Sequence, residues 1–169
     1  MVLTKDELIG MLQNEVRILL HLAGKVDRNQ LDYRPTPKQR STMELLQYLV
    51  VMGPALIRAV RAGAFDQPGF QAATAEAKAM NFDQVLASIE KHSGLYQQML
   101  SEFSDADFRA EIDLFGSGKS SRGVVIVNLV LGGCAAYRTQ LFLYLKACGR
   151  EELSTMNLWA GVDAPMPTH

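Results

Sequence analysis

The most continuous apolar pattern in the chain lies near its C-terminal end, at residues 124–149. Apolar residues recur there with a 3.6-residue period and form one stripe: Ile126, Val130, Cys134, Tyr137, Leu141, Tyr144 and Cys148. Other sides of this helix are also apolar, and only a narrow strip is polar. Because such a helix must be covered on most sides in a soluble protein, the pattern predicts the central helix of a bundle. It also predicts a second face that is free for another subunit.

Three further amphipathic helices are predicted before the central one. The first spans residues 4–25 and begins with a capping box, Thr4 and Glu7. The second opens with another capping box, Ser41 and Glu44, and contains Pro54, which removes one backbone hydrogen bond. The third spans about residues 81–103. We therefore expect an all-α protein, a single four-helix-bundle domain over residues 1–169.

The segments between these helices are predicted to be irregular. Residues 26–40 contain two prolines that prevent a helix, and residues 61–80 favour a loop with room for a short helix. Residues 104–122 are polar, with one short β-hairpin expected around 108–115. The C-terminal tail is expected to pack on the bundle and to carry Trp159 back onto it. His21, nearly opposite the inward stripe of the first helix, is expected in solvent or at a subunit contact.

Composition and charge narrow the function classes. Apolar residues make up 48% of the chain, charged residues 21%, and the net charge is −1, which gives no footprint for nucleic acid or an anionic membrane. The N-terminal residues lack the pattern of a signal peptide, and the longest nearly uncharged run is too short to span a bilayer. Cys134 and Cys148 lie about 21 Å apart on one helix, so they cannot form a disulfide. Buried free thiols predict a cytoplasmic protein.

Two motifs resemble those of the DinB-like superfamily of bacterial four-helix bundles. These are YRPTPKQRSTMELLQYL at residues 33–49 and GGCAAYRTQLFLYLKACG at residues 132–149. The superfamily includes divalent-metal-dependent thiol transferases of the bacillithiol and mycothiol type, and its motifs carry three metal-binding histidines. The resemblance places these histidines on Tyr48, Gly133 and Tyr137 of this sequence. Scaffold residues of the motifs are kept, among them Ser41, Glu44, Leu45, Leu46, Leu49, Arg138, Gln140 and Leu141.

The three replaced positions predict that the usual metal site is dismantled. Glycine has no side-chain ligand, and tyrosine loses its proton only near pH 10. We therefore predict no metal and no cofactor. Two interpretations of Tyr48, Gly133 and Tyr137 remain open. The phenol rings fill the vacated space, which dense packing favours, or they line a pocket for a small ligand.

Glu15 and His92 are single polar residues on otherwise apolar inward stripes. A buried carboxylate needs a partner, so Glu15 and His92 are expected to pair with each other or with Tyr48, Tyr137 or Arg138. A structural polar network is the favoured interpretation. The other is a displaced metal or acid–base site. Arg138 is expected to serve interhelical hydrogen bonding.

The predicted function is a non-catalytic homodimer that binds a small ligand or acts as an interaction module, with no nucleic-acid or membrane partner. Its ligand-pocket candidates are Glu15, Tyr48, His92, Gly133, Tyr137 and Arg138. The alternative is a divalent-metal-dependent hydrolase or a bacillithiol- or mycothiol-type thiol transferase. That enzyme would use a rearranged site around Glu15 and His92.

Overall fold

Both predicted capping boxes start long helices. The structure, a computed structural model that describes residues 3–116 and 118–164, has α1 at Lys5–Ala23 and α2 at Thr42–Ala62. In each box the hydroxyl of the first residue accepts from the N3 amide, and the N3 carboxylate accepts from the backbone of the first residue. These reciprocal bonds satisfy amides that a helix leaves free at its start. A short 3₁₀ turn at Arg28–Gln30 lies between the two helices.

Residues 61–80 were expected to form a loop with room for a short helix, and most of them form a 13-residue helix, α3, at Gln67–Ala79. Asp66 caps it by accepting from the amide of Gly69, and a proline follows in the first turn, where it is tolerated. The apolar period failed to reveal α3 because Ala77 is its only buried residue among those described. Its many alanines, which have the highest helix propensity, were the available signal.

The predicted third helix is interrupted at Lys91, which gives α4 at Phe82–Glu90 and α5 at His92–Ser101. A five-residue helix, α6 at Asp105–Arg109, follows. The hairpin pairs β1, Glu111–Ile112, antiparallel with β2, Ser120–Ser121, in the register Glu111↔Ser121 and Ile112↔Ser120. Its second strand therefore lies later in the chain than residues 108–115.

The central helix forms with a wide turn inside it. It begins as α7, Arg122–Val125, continues through a π-helical segment, Ile126–Leu131, and ends as α8, Gly132–Ala147. It packs against both α1 and α2. Its inward stripe is buried at Ile126, Val130, Leu141 and Tyr144, whereas Val124 and Leu143 are 49% and 58% exposed on its outer side. The all-α bundle is thus confirmed.

Two of the helices are long and apolar enough to cross a membrane by length and composition. These are Thr42–Ala62 and the combined helix Arg122–Ala147, with 61% and 33% of their apolar windows buried inside the protein. The first has the burial of a core helix. The second owes its apolar character both to its core stripe and to its exposed outer side.

The C-terminal tail packs on the bundle, as predicted, through Leu153 and Asn157, and it includes a π-helical turn at Met156–Ala160. The expectation for Trp159 is wrong, because its side chain is 68% exposed. The tail also covers His21, whose Nε2 lies 3.1 Å from the side-chain nitrogen of Asn157. His21 is therefore a contact of the tail and does not face open solvent.

Candidate functional site

Glu15 and Arg138 form an ion pair inside the bundle, where their side chains are only 12% and 6% exposed. Arg138 Nη2 donates to Glu15 Oε1 at 3.2 Å, and Arg138 Nε lies 2.9 Å from Oε2, at the distance of an ion pair but without the angle of a hydrogen bond. Burial raises the pKa of Glu15, and the charge of Arg138 opposes that rise. Of the partners considered for Glu15, the structure selects Arg138.

The C-terminal tail completes the surroundings of Arg138. Its Nη1 donates to the backbone carbonyl of Leu158, and its guanidinium lies 5.8 Å from the ring centroid of Trp159. All three nitrogens of the guanidinium thus face protein groups. Arg138 thus makes the interhelical hydrogen bond that was expected, and it also bonds to the C-terminal tail.

His92 satisfies a carbonyl that a proline leaves without its helical partner. In a regular helix the carbonyl of Val50 would accept from the amide at position 54, but Pro54 has no N–H. His92 Nε2 lies 3.0 Å from that carbonyl oxygen and donates to it, which fixes the tautomer. Burial lowers the pKa of His92 to about 4, so the ring is neutral at pH 7. His92 and Glu15 are therefore engaged with different partners.

Tyr48 and Tyr137 are brought together, as the resemblance implied, and their rings meet edge to face with centroids 5.1 Å apart. Gly133 leaves room for Met52, since a Cβ there would lie 3.2 Å from the Met52 Cε. Burial, reinforced by Tyr137, raises the pKa of Tyr48 to about 12. Its phenol is protonated at neutral pH, so these positions do not fit a divalent metal. Within residues 3–116 and 118–164, no three His, Cys, Asp or Glu side chains are grouped to hold one.

Cys134 lies where its thiol stays protonated. Burial raises the pKa of its thiol to about 12, and the negative charge of Glu15 adds to the rise. The thiolate, which is the reactive form, is therefore scarce at neutral pH.

A cleft of about 360 Å³ lies beside Tyr48, between α2, α3 and the segment 26–40, here called the proline connector. Gln47 holds one wall in place, because its amide nitrogen donates to the carbonyls of Lys78 and Met80 at the end of α3. Phe70, Thr74 and Lys78, one turn apart on α3, face the cleft. Its full lining is Arg34, Lys38, Gln39, Arg40, Glu44, Gln47, Tyr48, Phe70, Thr74 and Lys78.

The cleft is positively charged although the chain as a whole is not. Among the described residues, its lining holds four cationic side chains and one carboxylate, a net charge of +3, against −1 for the whole chain. Glu44 Oε2 lies 3.3 Å from Arg34 Nη2, and the guanidinium of Arg40 lies 4.0 Å above the Tyr48 ring. The capping amide of Ser41 is the main cause that lowers the pKa of Glu44. This cleft is the best candidate for a ligand site.

Of the residues that line the cleft, only Tyr48 was a ligand-pocket candidate from the sequence. Three cations within seven residues, Arg34, Lys38 and Arg40, were the available signal in the connector. Lys78 was out of reach because α3 was missed. A second cavity, of about 420 Å³, is mainly apolar and lies between α1, α6 and α7. Its lining includes Leu3, Leu8, Phe108, Val124 and Val127, none of which was a candidate.

Comparison with protein-family models and with curated protein sequences finds no match to this chain. Among solved structures, the bundle is similar to the crystal structure of a DinB-like protein, YjoA, from Bacillus subtilis. The TM-score is 0.66 at 16% sequence identity, and the match covers 87% of this chain and 95% of the other. At this identity the likeness establishes the fold alone, and the predicted DinB-like fold is confirmed.

Proposed function

We propose that this chain, a bundle with the DinB-like fold, is a metal-independent binding protein for a small molecule. The cleft between the proline connector, α2 and α3 is the proposed ligand site. The observation that carries the proposal is the net charge of +3 around a cleft of about 360 Å³ in a chain of net charge −1. Cavities of a few hundred Å³ with a few convergent polar groups are typical of small-molecule sites.

The polar groups in the bundle interior support binding rather than catalysis. Glu15 is engaged by Arg138, and His92 by the carbonyl of Val50. Tyr48 and Cys134 both have a pKa of about 12, so neither supplies an anion near neutral pH. A general base or nucleophile needs a pKa closer to the working pH.

The proposal is tested by filling the cleft. Thr74 lines it from α3, whereas Ala75 is exposed and does not line it, so Thr74→Trp and Ala75→Trp are a matched pair. In ligand-observed NMR with a library of neutral and charged fragments, we expect binding to the parent protein and to Ala75→Trp. Thr74→Trp should lose that binding while its thermal unfolding stays close to that of Ala75→Trp. Fragments that bind all three proteins equally would contradict the proposed site.

Metal independence has a separate test. Elemental analysis of protein purified without a histidine tag should find zinc, nickel and manganese far below one ion per chain. A stoichiometric amount of any of them would contradict the proposal. It would favour the alternative function, a metal-dependent hydrolase or thiol transferase at Glu15 and His92. That alternative has the weaker support, because both side chains would first have to leave their present partners.

The assembly and the compartment are also part of the proposal. We propose a soluble cytoplasmic homodimer, with its contact on the outer side of the central helix, where Val124 and Leu143 are exposed. Size exclusion with light scattering should give the mass of a dimer at micromolar concentration. Leu143→Glu should shift the mass toward the monomer, because a charge would be buried at the contact. A monomer for the parent chain would refute the dimer and leave the ligand site intact.

A further inference from the structure

We infer that the cleft between the proline connector, α2 and α3 takes a small aromatic anion. Its negative group would be held between Lys38 and Lys78, and its ring would stack on the guanidinium of Arg40. This inference rests on the proposed function, since it names the ligand class of the same cleft. Three features of the cleft support it: the placement of its cations, the planar surface at Arg40, and the closed start of α2.

The four cations of the cleft are not equally committed to other groups. Arg34 pairs with Glu44, and Arg40 lies on the ring of Tyr48. Lys38 and Lys78 make no ion pair with any residue in the described part of the chain. Lys38 lines the cleft from the connector and Lys78 lines it from α3, so each of these two segments offers an ammonium group to an anion in the cleft. The prolines on either side of Thr36 restrict the backbone of the connector just before Lys38.

Arg40 provides a flat surface for an aromatic group. Its guanidinium is already oriented by the Tyr48 ring at 4.0 Å, which leaves its other planar side for a further ring. Phe70 adds apolar surface on the α3 side of the same cleft. A ligand that combined charge with a ring would therefore contact the lysines and the Arg40–Tyr48 stack together.

The N-terminus of α2 borders the cleft but does not offer free amides to an anion. Ser41 accepts from the amide of Glu44, and the Glu44 carboxylate accepts from the amide of Ser41. The amides of Thr42 and Met43 donate to the carbonyls of Tyr33 and Leu31. Because all four amides are occupied, binding of the anion depends on side-chain cations. Neutralising single lysines should therefore weaken binding measurably.

The test uses three probes and isothermal titration calorimetry on the full chain. α-Naphthyl phosphate carries both the ring and the charge, inorganic phosphate the charge alone, and α-naphthol the ring alone. We expect α-naphthyl phosphate to bind one site per chain and more tightly than either fragment. Its affinity should fall as sodium chloride is raised from about 50 to 200 mM, since partly exposed charges are screened.

Three lysine variants locate the charge. Lys38→Gln and Lys78→Gln should each weaken binding of α-naphthyl phosphate about fivefold, the upper range for an exposed ion pair. Lys91→Gln, an exposed lysine outside the cleft, is the matched control and should leave the affinity unchanged. Arg40→Leu should weaken α-naphthyl phosphate more than inorganic phosphate, because it removes the stacking surface as well as a charge.

Failure of this inference differs from failure of the proposed function. If α-naphthol binds as tightly as α-naphthyl phosphate, or if the lysine variants have no effect, the anionic ligand class is wrong. The cleft would still be the ligand site, provided that Thr74→Trp abolishes the binding. If α-naphthyl phosphate binds Thr74→Trp as well as it binds the parent protein, the cleft itself is wrong. No binding of α-naphthyl phosphate at millimolar concentration overturns the inference.

Discussion

Two arginine–carboxylate pairs lie in contrasting places in this bundle. The Glu15–Arg138 pair joins α1 to α8 in the interior, with side chains 12% and 6% exposed. The Arg34–Glu44 pair lies at the cleft, with side chains 37% and 46% exposed. Both are made of the same chemical groups, but water screens only the second strongly. Breaking the interior pair should therefore cost much more stability than breaking the cleft pair.

The largest expected effect comes from removing the positive half of the interior pair. Arg138→Met leaves the Glu15 carboxylate buried without a partner, so the free energy of unfolding should fall by about 3–5 kcal/mol. Urea denaturation at pH 7 measures it. The double variant Glu15→Leu with Arg138→Met should recover most of the loss, because no charge remains buried. If Arg138→Met alone cost less than about 1 kcal/mol, the Glu15–Arg138 pair would be solvated and would not differ from the Arg34–Glu44 pair in stability.

His92 should make the interior sensitive to acid. Its pKa in the fold, about 4, lies below the unfolded value near 6.5, so the unfolded chain binds the proton more readily. Its contribution is complete above pH 6.5 and is lost as the pH falls toward 4, by roughly 3 kcal/mol. The raised pKa of Glu15 acts in the opposite direction, so a reference variant is needed.

His92→Gln is that reference, since glutamine donates a hydrogen bond but does not titrate in this range. Urea denaturation at pH 7 and pH 4.5 should give a smaller loss of stability for His92→Gln than for the parent protein. Equal losses would mean that His92 does not carry the pH dependence.

The bond from His92 to the Val50 carbonyl is tested by a double-mutant cycle with Pro54. His92→Phe should cost about 1–3 kcal/mol, the penalty of an unsatisfied buried carbonyl. In a Pro54→Ala background the new amide at position 54 can occupy that carbonyl, so His92→Phe should cost less. Chemical denaturation of the four proteins gives the coupling energy between positions 92 and 54. If the stability losses of the two substitutions simply added, His92 would not be compensating for the missing amide of Pro54.

A methyl group should destabilise the fold at one interior glycine, Gly53, and have little effect at another, Gly133. A Cβ at Gly53 would lie 2.0 Å from the Tyr96 hydroxyl oxygen, so Gly53→Ala should destabilise the fold by about 1–3 kcal/mol. At Gly133 the nearest atom is the flexible end of Met52, at 3.2 Å. There the helix propensity of alanine should offset the contact and leave stability within about 1 kcal/mol of the parent protein. Thermal unfolding of both variants checks the order, and a destabilisation larger at Gly133 would reverse it.

The smallest expected effect lies in the cleft pair. Arg34→Ala should change the free energy of unfolding by no more than about 0.5 kcal/mol, since the pair is exposed. Glu44→Ala should cost about 1 kcal/mol, because it also removes the capping box of α2. If Arg34→Ala were as costly as Arg138→Met, exposure would not be what separates the two pairs.

The helices that bury a periodic apolar stripe could be predicted from the sequence, because capping boxes and the 3.6-residue period are local signals. The start of α1 at Thr4 and of α2 at Ser41 depends only on residues three apart. Helix α3 could not be found in this way, since it rests on α2 with little buried apolar surface of its own. Its alanines favour a helix but form no periodic apolar stripe.

The candidate site was predictable in part. The inward stripes offered Arg138 as one partner for Glu15, and the resemblance supplied a contact between two distant segments. It brought Tyr48 and Tyr137 together, and the structure has their rings in contact. The partner of His92 could not be inferred from the sequence. It is the Val50 carbonyl, which lacks a helical donor because of Pro54 and which His92 reaches only in the folded bundle. The cations of the cleft were missed for the same reason: Lys78 approaches the connector only through α3.

The Glu15–Arg138 ion pair connects residues 123 positions apart, and the tail that covers it lies further along the chain. During synthesis on the ribosome, the carboxylate of α1 therefore emerges long before the guanidinium that neutralises it. Until that arginine arrives, burial of Glu15 would leave its carboxylate without a partner, which is costly. We therefore expect the bundle interior to pack only after residue 138 has been synthesised. A pause in translation, or a truncation before that residue, would leave the apolar faces of the earlier helices exposed to proteases.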